Sequence, residues 1–349
     1  MRIAIQLGSA GGSWDDAVTY VQEAESLGAA VCFVAEAWGA DGVSPLAYLA
    51  AKTERILLAS GILQLGVRTP ALVAQTALTL SSLCDNRYIL GLGVSGPQVI
   101  EGLHGQPFAH PLGRMRETID IIRMAFAGER IAYQGRHFTL PRPEGEGKAL
   151  RLSQPANPDI PIYLATLAPK MLELTGELAD GWIGTSFIPR GAAAYLDHLA
   201  AGAVRAGRGL SDLDLSQGGD VAFSDDVDTL VAERKRGLAF SLGGMGSART
   251  NFYNDAYSRQ GWADAAAQVQ RLWVSGRREE AVACVPDDMV LETTMIGTET
   301  MVRDRMRAWR DAGINTLRVY PAGNSLAAKL DTLGRAMDLV RGINAETGL

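Results

Sequence analysis

Cysteine is scarce. The 349 residues hold three, Cys32, Cys84 and Cys284, far apart and with no C-x-x-C pair. That argues against a disulfide or zinc framework and for a reducing, cytoplasmic setting. Histidine is scarce too: the four present have no i, i+4 pair, so no metal site is expected. Basic charge is in deficit, with 33 Lys+Arg against 39 Asp+Glu and a net charge of −6. The chain therefore lacks the basic field that a nucleic acid or an anionic membrane would call for. No run of about 18 apolar residues occurs, so no transmembrane helix is expected. The N-terminal apolar run stops at Gly8, too short for a signal h-region, and reads as a first strand. There is no G-x-S-x-G elbow and no P-loop. An anionic ligand stays open, because backbone N–H groups at helix starts hold phosphate without net positive charge.

What is present is an ordinary globular composition, 47% hydrophobic and 21% charged. A chain this long buries roughly three quarters of the surface it exposes unfolded. Short apolar runs alternate with longer amphipathic ones. Strands are predicted at Ile3–Leu7, Val31–Ala35, Ile56–Leu63, Tyr88–Leu92, Pro161–Ala165, Gly181–Gly184, Leu213–Phe223 and Leu317–Tyr320. Helices are predicted between them: Trp14–Leu27 with Ser13 as N-cap and Gly28 beyond its end, one opened by Ser44-Pro45, Pro70–Leu83, Leu112–Phe126, Pro169–Ala179, Gly191–Ala206, Val302–Ala312 and Ser325–Ile343. Eight strands with helical crossovers imply a parallel (β/α)8 TIM barrel, a fold of about 250 residues before insertions. The surplus lies after strands four and seven, at about 129–160 and 227–295, the second broken at the Gly-rich segment 242–246. The whole chain, 1–349, reads as one barrel domain.

In such a barrel the chemistry sits at the C-terminal ends of the strands. That rule selects Gly8-Ser9, Glu36-Ala37-Trp38, Gly61-Ile62-Leu63, Gly93–Gly96, Ala165-Thr166-Leu167 and Gly184–Phe187. Gly91–Gly96, GLGVSG, matches the dinucleotide fingerprint G-x-G-x-x-G only in form. Pro97, Gly102, Gly105, Pro107 and Pro111 follow instead of a regular helix, and Glu117 stands inside a helix. The segment reads better as a loop whose glycines let backbone approach a flat or phosphorylated ligand. Glu36 has two readings. It caps a nearby loop or pairs with an Arg, or it exchanges protons if burial raises its pKa. Trp38 beside it supplies an apolar wall or plain packing. His104, in the Gly/Pro loop after strand four, is open between a site role and a loop hydrogen bond. Arg68, Lys170 and Arg190 lie near strand ends, as surface charges or as steering groups for an anionic tail.

Four blocks, Tyr88–Phe108, Pro161–Trp182, Asn251–Gln270 and Met295–Leu317, resemble the luciferase-like monooxygenase superfamily in its coenzyme F420-dependent, methylenetetrahydromethanopterin reductase-like branch. The resemblance implies a TIM barrel with a deazaflavin in its mouth. It implies a bulge after strand three holding a non-prolyl cis peptide, here at Gly61-Ile62. It implies cofactor contacts at Gly93, Val94, Ser95 and Gln98, a phosphate turn at Ala165, Thr166, Leu167 and Lys170, and a second loop at Gly184 and Thr185. Gly8, Leu63, His104 and Phe187 would shape the substrate pocket. Relatives often carry an acid-His pair after strand two, where this chain reads Glu36-Ala37-Trp38. Glu36 thus becomes the main acid/base candidate, with Trp38 beside it. The implied activity is hydride transfer between F420 and a small organic substrate. The alternatives are an FMN-dependent two-component monooxygenase and a non-catalytic flavin-binding barrel. Relatives usually form homodimers through helices two and three, and apolar Leu72, Val73, Leu78, Leu80 and Leu83 give helix three surface for such a contact.

Overall fold

The first helix, α1 (Trp14–Leu27), is delimited as its flanking residues dictate. The Ser13 hydroxyl accepts the Asp15 N–H at 3.1 Å, and Gly28 ends the helix in the left-handed region at φ 100°. Pro45 stands in the first turn of α2 (Ser44–Ala50), and the same punctuation recurs at α3 (Pro70–Leu83), where Thr69 caps and Pro70 opens the first turn. The computed structural model describes residues 1–8, 13–247 and 249–346. Ser9, grouped above with Gly8, lies outside the described residues.

Eight parallel strands close into a ring: β1 (Arg2–Leu7), β2 (Val31–Val34), β3 (Leu57–Ser60), β4 (Tyr88–Gly93), β5 (Ile162–Ala165), β6 (Gly181–Gly184), β7 (Asp214–Phe223) and β8 (Thr316–Pro321). Each pairs with the next, and β8 pairs back with β1. The main crossover helices after α1 and α3 are α4 (Pro111–Phe126), α5 (Pro169–Leu178) and α6 (Ala193–Arg205), and α7 (Leu326–Ala345) closes the chain. Between sheet and helices lies the larger core, with Tyr88, Phe126, Trp182 and Trp309 fully buried. The ring interior holds a second cluster, including Ala4, Phe33, Ala59, Ile89 and Ile183. The N-terminal end is plugged by polar groups. Asp214 accepts from the Tyr163 hydroxyl at 2.7 Å and Thr316 at 2.6 Å and pairs with Arg2. The opposite end is left open for a ligand.

Two local departures from the sequence reading, at the third strand and after β7, have physical causes. The single third strand expected over Ile56–Leu63 is split. After Ser60 the Gly61–Ile62 peptide is cis, and Leu63–Gln64 resumes pairing on β4. At the break the Ser60 side chain replaces the ladder, accepting the Gly91 N–H at 2.8 Å and donating to the Gly91 carbonyl at 2.9 Å. Gly91 must be glycine there, since a Cβ would stand 1.8 Å from the Ser60 carbonyl oxygen. Residues 129–160 form a short antiparallel ladder of Tyr133–Gln134 with Thr139–Leu140, and Glu117 of α4 accepts the N–H groups of Arg136, His137 and Phe138 across its turn. After β7 come Val227–Gly243, Phe252–Tyr257, Ala263–Val274, Arg278–Ala283 and Asp287–Thr293. These helices share an apolar cluster with Ile188 and Ala222. A three-residue strand, Met295–Gly297, then pairs with the end of β7; it is too short to show in a hydrophobic pattern.

Candidate active site in the barrel mouth

The strand ends surround a cavity of about 500 Å³. That lies within the roughly 300–1,000 Å³ usual for cofactor pockets. Of the sequence candidates, Glu36, Trp38, Gly61, Ile62, Gly93, Val94, Ser95, Gln98, Ala165, Thr166, Leu167, Gly184 and Thr185 all line it. They come from β2 through β6 and meet because parallel strands deliver all their C-terminal ends to one face.

Glu36 is firmly paired. Its two oxygens stand 2.6 Å from the two Arg68 Nη atoms, the bidentate geometry that makes such pairs strong. It also accepts the Gly42 N–H at 2.8 Å and the Gln64 N–H at 3.3 Å. Burial alone would raise its pKa, but the Arg68 and backbone hydrogen bonds together with the Arg68 charge outweigh it, and the carboxyl lies below its ordinary range. The side chain is 8% exposed and that of Arg68 18%. The loop-capping, Arg-paired reading of Glu36 is therefore the one its geometry matches. As an ionised group accepting from Arg68, Gly42 and Gln64, it holds the β2 loop. Trp38, on that loop, is 63% exposed at the cavity rim.

On β4, Gly93 faces the cis segment so closely that a Cβ would sit 2.9 Å from the Ile62 side chain. Gly93 and Ile62 thus form one flat wall. Ser95 takes φ 60°, turning the chain away at the rim. Across the cavity, Ala168 starts α5 without a side-chain cap, leaving its first-turn N–H groups available to an anion. The Thr166 hydroxyl is turned inward onto Thr175 at 2.8 Å, so Thr166 meets the cavity mainly as backbone.

Five candidates stand apart from the cavity lining. Lys170 is 75% exposed and paired with Glu173, directed to solvent by its place on the outer turn of α5. Leu63 is fully buried beneath the wall, and His104 is exposed on its loop. Phe187 is buried against Tyr195 and Trp309, since the chain reverses at Ser186, φ 56°, and carries the ring into the outer core. Gly8 is exposed at the end of β1, outside the lining.

Other residues complete the site. Phe240, Phe252 and Tyr253, from the helices after β7, and Met245 between them make a largely apolar wall. Burial and the nearby Tyr320 push the Tyr253 phenol up, so it keeps its proton at neutral pH. Arg259 donates to the Leu167 carbonyl at 2.7 Å and lines a second pocket of about 350 Å³ with Ala168 and Pro169, at the start of α5, and with Phe252. Gln6, Arg318 and Tyr320 form the floor. Among these, Arg318 alone carried a sequence signal: a lone charge inside the apolar run of a strand. Among the described residues, no group of three or more His, Cys, Asp or Glu is placed to hold a metal, and no helix is long and apolar enough to cross a membrane.

The sequence profile of luciferase-like monooxygenases matches residues 1–316. A putative coenzyme F420-dependent oxidoreductase of Mycobacterium tuberculosis is 40% identical over 334 residues, covering 93% of this chain and 96% of that one. The 5,10-methylenetetrahydromethanopterin reductase of Archaeoglobus fulgidus is 27% identical over 318 residues, 90% of this chain and 92% of the relative. Among solved structures, the coenzyme F420 dependent tetrahydromethanopterin reductase from Methanopyrus kandleri superposes with a TM-score of 0.78 at 21% identity, over 95% of this chain and 97% of that one.

Proposed function

The chain belongs to the luciferase-like monooxygenase family, and from that premise we propose that it is an F420-dependent oxidoreductase moving a hydride between the deazaflavin and a small organic substrate. One observation carries the reading: a flat wall, an apolar chamber and an anion-ready helix start form one continuous cavity. The missing side chain of Gly93 lets Ile62 pack directly onto the strand, since a Cβ at position 93 would stand 2.9 Å from it, and the two present one wall on which a planar ring can lie. The uncapped start of α5, with Arg259 beside the adjoining pocket, suits an anionic tail. The buried Arg318 on the floor suits an electron-rich edge. The cofactor supplies the redox chemistry when bound.

The chain's own residues bind, orient and exclude water. Glu36 and Arg68 hold the loop that carries Trp38 over the rim. Phe240, Met245 and Phe252 keep the chamber apolar. Tyr253, protonated and facing the cavity, is the hydrogen-bond donor for a polar atom of substrate. Gly93, Val94, Ser95, Gln98, Gly184 and Thr185 make the cofactor contacts. Leu72 and Leu83, exposed on α3, with Tyr48 on the preceding helix, offer the surface for a homodimer.

The test is a titration of purified protein with F420 and, separately, with FMN, read by tryptophan quenching. Micromolar F420 binding with negligible FMN binding supports the reading. Preference for FMN moves it to a two-component monooxygenase, which would consume oxygen with reduced FMN. Trp38→Phe should remove more of the quenching than any other single Trp replacement, because Trp182 and Trp309 lie in the outer core.

A further inference from the structure

The cavity lining contains two charged side chains, Glu36 and Arg318. Glu36 is neutralised by Arg68. Arg318 has no such partner: among the described residues no carboxylate pairs with it. It is 4% exposed, on β8. Its Nη2 donates to the Gly184 carbonyl at 2.9 Å, its Nε donates to the Tyr320 hydroxyl at 3.1 Å, and its Cζ lies 5.3 Å from the Phe33 ring centroid. All three are neutral. A guanidinium stays charged at any working pH. A buried charge without a counter-charge is costly unless something delivers one.

The surroundings are shaped for this side chain. Arg318 sits in register between Ala4 on β1 and Gly218 on β7. A Cβ at Gly218 would stand 2.4 Å from the Tyr320 hydroxyl and 2.9 Å from Arg318 Nη2. Phe33, under the guanidinium, also touches Gly61, where a Cβ would stand 3.0 Å from the Phe33 Cβ. The unbalanced cation and the flat wall therefore share one aromatic support.

We propose that Arg318 holds the anionic form of the deazaflavin ring at the cavity floor, an inference that rests on the F420 reading above. The 8-hydroxyl of a deazaflavin is conjugated with its pyrimidine carbonyls. Loss of its proton therefore spreads negative charge onto oxygens at both edges of the ring, and either edge facing the floor presents an oxyanion. An opposite charge within hydrogen-bonding reach favours the ionised form by roughly one to three pKa units. The other titratable groups facing the floor are Tyr320, Tyr253 and the Glu36–Arg68 pair, none of which adds net positive charge.

The experiment follows the absorbance of bound F420 against pH, because the chromophore itself reports its ionisation and the anionic tail does not. In the wild type the bound chromophore should lose its proton at least about one unit below the free cofactor, so the anion binds about tenfold tighter than the neutral form. Arg318→Met should return ionisation to the free value or above it and weaken binding at neutral pH about tenfold. Arg318→Lys, which keeps the charge without the planar fork, should fall between. Unshifted ionisation in bound wild type overturns the inference whether or not the Met variant folds. A Met variant that melts earlier yet keeps the shift shows Arg318 to be structural, and also overturns it. Failure of wild type to bind F420 overturns the functional reading with it, whereas binding with unshifted ionisation overturns this inference alone.

Discussion

At the scale of single residues, the site turns on which charges are compensated. Glu36 was legible as a strand-end carboxylate, but its partner stands 32 residues away, and no local pattern links them. Glu36→Gln should cost about 2 kcal/mol, since it removes a charge-assisted pair between two mostly buried groups. Chemical denaturation would measure it. The sign with pH follows from the lowered pKa. Glu36 contributes stability above its ordinary value of 4.5, and that contribution is lost as pH falls through the lower folded value. Unfolding midpoints compared in the acid range should therefore fall more steeply in the wild type than in Glu36→Gln. Equal slopes would mean that the pair does not hold the carboxyl ionised. Lys170 shows the converse. Its position after a strand suggested an anion partner, but the helical phase turned it outward onto Glu173, and Arg259 reached the cavity side of α5 instead.

At the scale of elements, caps and breakers placed most boundaries. Thr69 accepts the Leu72 N–H at 3.3 Å, and Thr69→Ala should lower stability by about 1 kcal/mol. The tightest packing between helices was less visible. α5 and α6 meet through Gly176 and Gly202, where added Cβ atoms would lie 1.9 Å from the Leu199 carbonyl oxygen and 1.8 Å from that of Glu173. Neither glycine has a positive φ, so neither serves a turn. Gly202→Ala should destabilise by about 3 kcal/mol, because backbone cannot yield as a side chain can. An unfolding free energy within error of wild type would show that the two helices can separate at little cost. Gly91 carries the same lesson on β4. In the sequence it belonged to a loop motif suited to a ligand, whereas in the fold it makes way for the Ser60 carbonyl.

At the scale of the whole molecule, one end of the ring is plugged by Asp214 and its donors, and the cavity lies at the other. There the segment after β7 supplies Phe240, Met245, Phe252 and Tyr253 as a wall. A ligand bound across the strand ends and this wall should stabilise the fold as a unit. At a hundredfold excess over its dissociation constant the gain is about 2.7 kcal/mol. Thermal unfolding should rise with F420 and stay unmoved by FMN. A rise with FMN alone would contradict the cofactor assignment while leaving the barrel intact.

The alternation of apolar runs with amphipathic helices carried the barrel, its strand count and the faces on which strand ends collect, because each follows from local periodicity and from the geometry of parallel crossovers. It also carried half of the cavity lining, since strand ends converge wherever a ring closes. What local order could not contain was pairing across distance. Arg68 met Glu36, Phe187 turned into the core, Arg259 came beside α5, and Arg318 was left without a counter-charge, each by the closure of the ring and the packing laid over it.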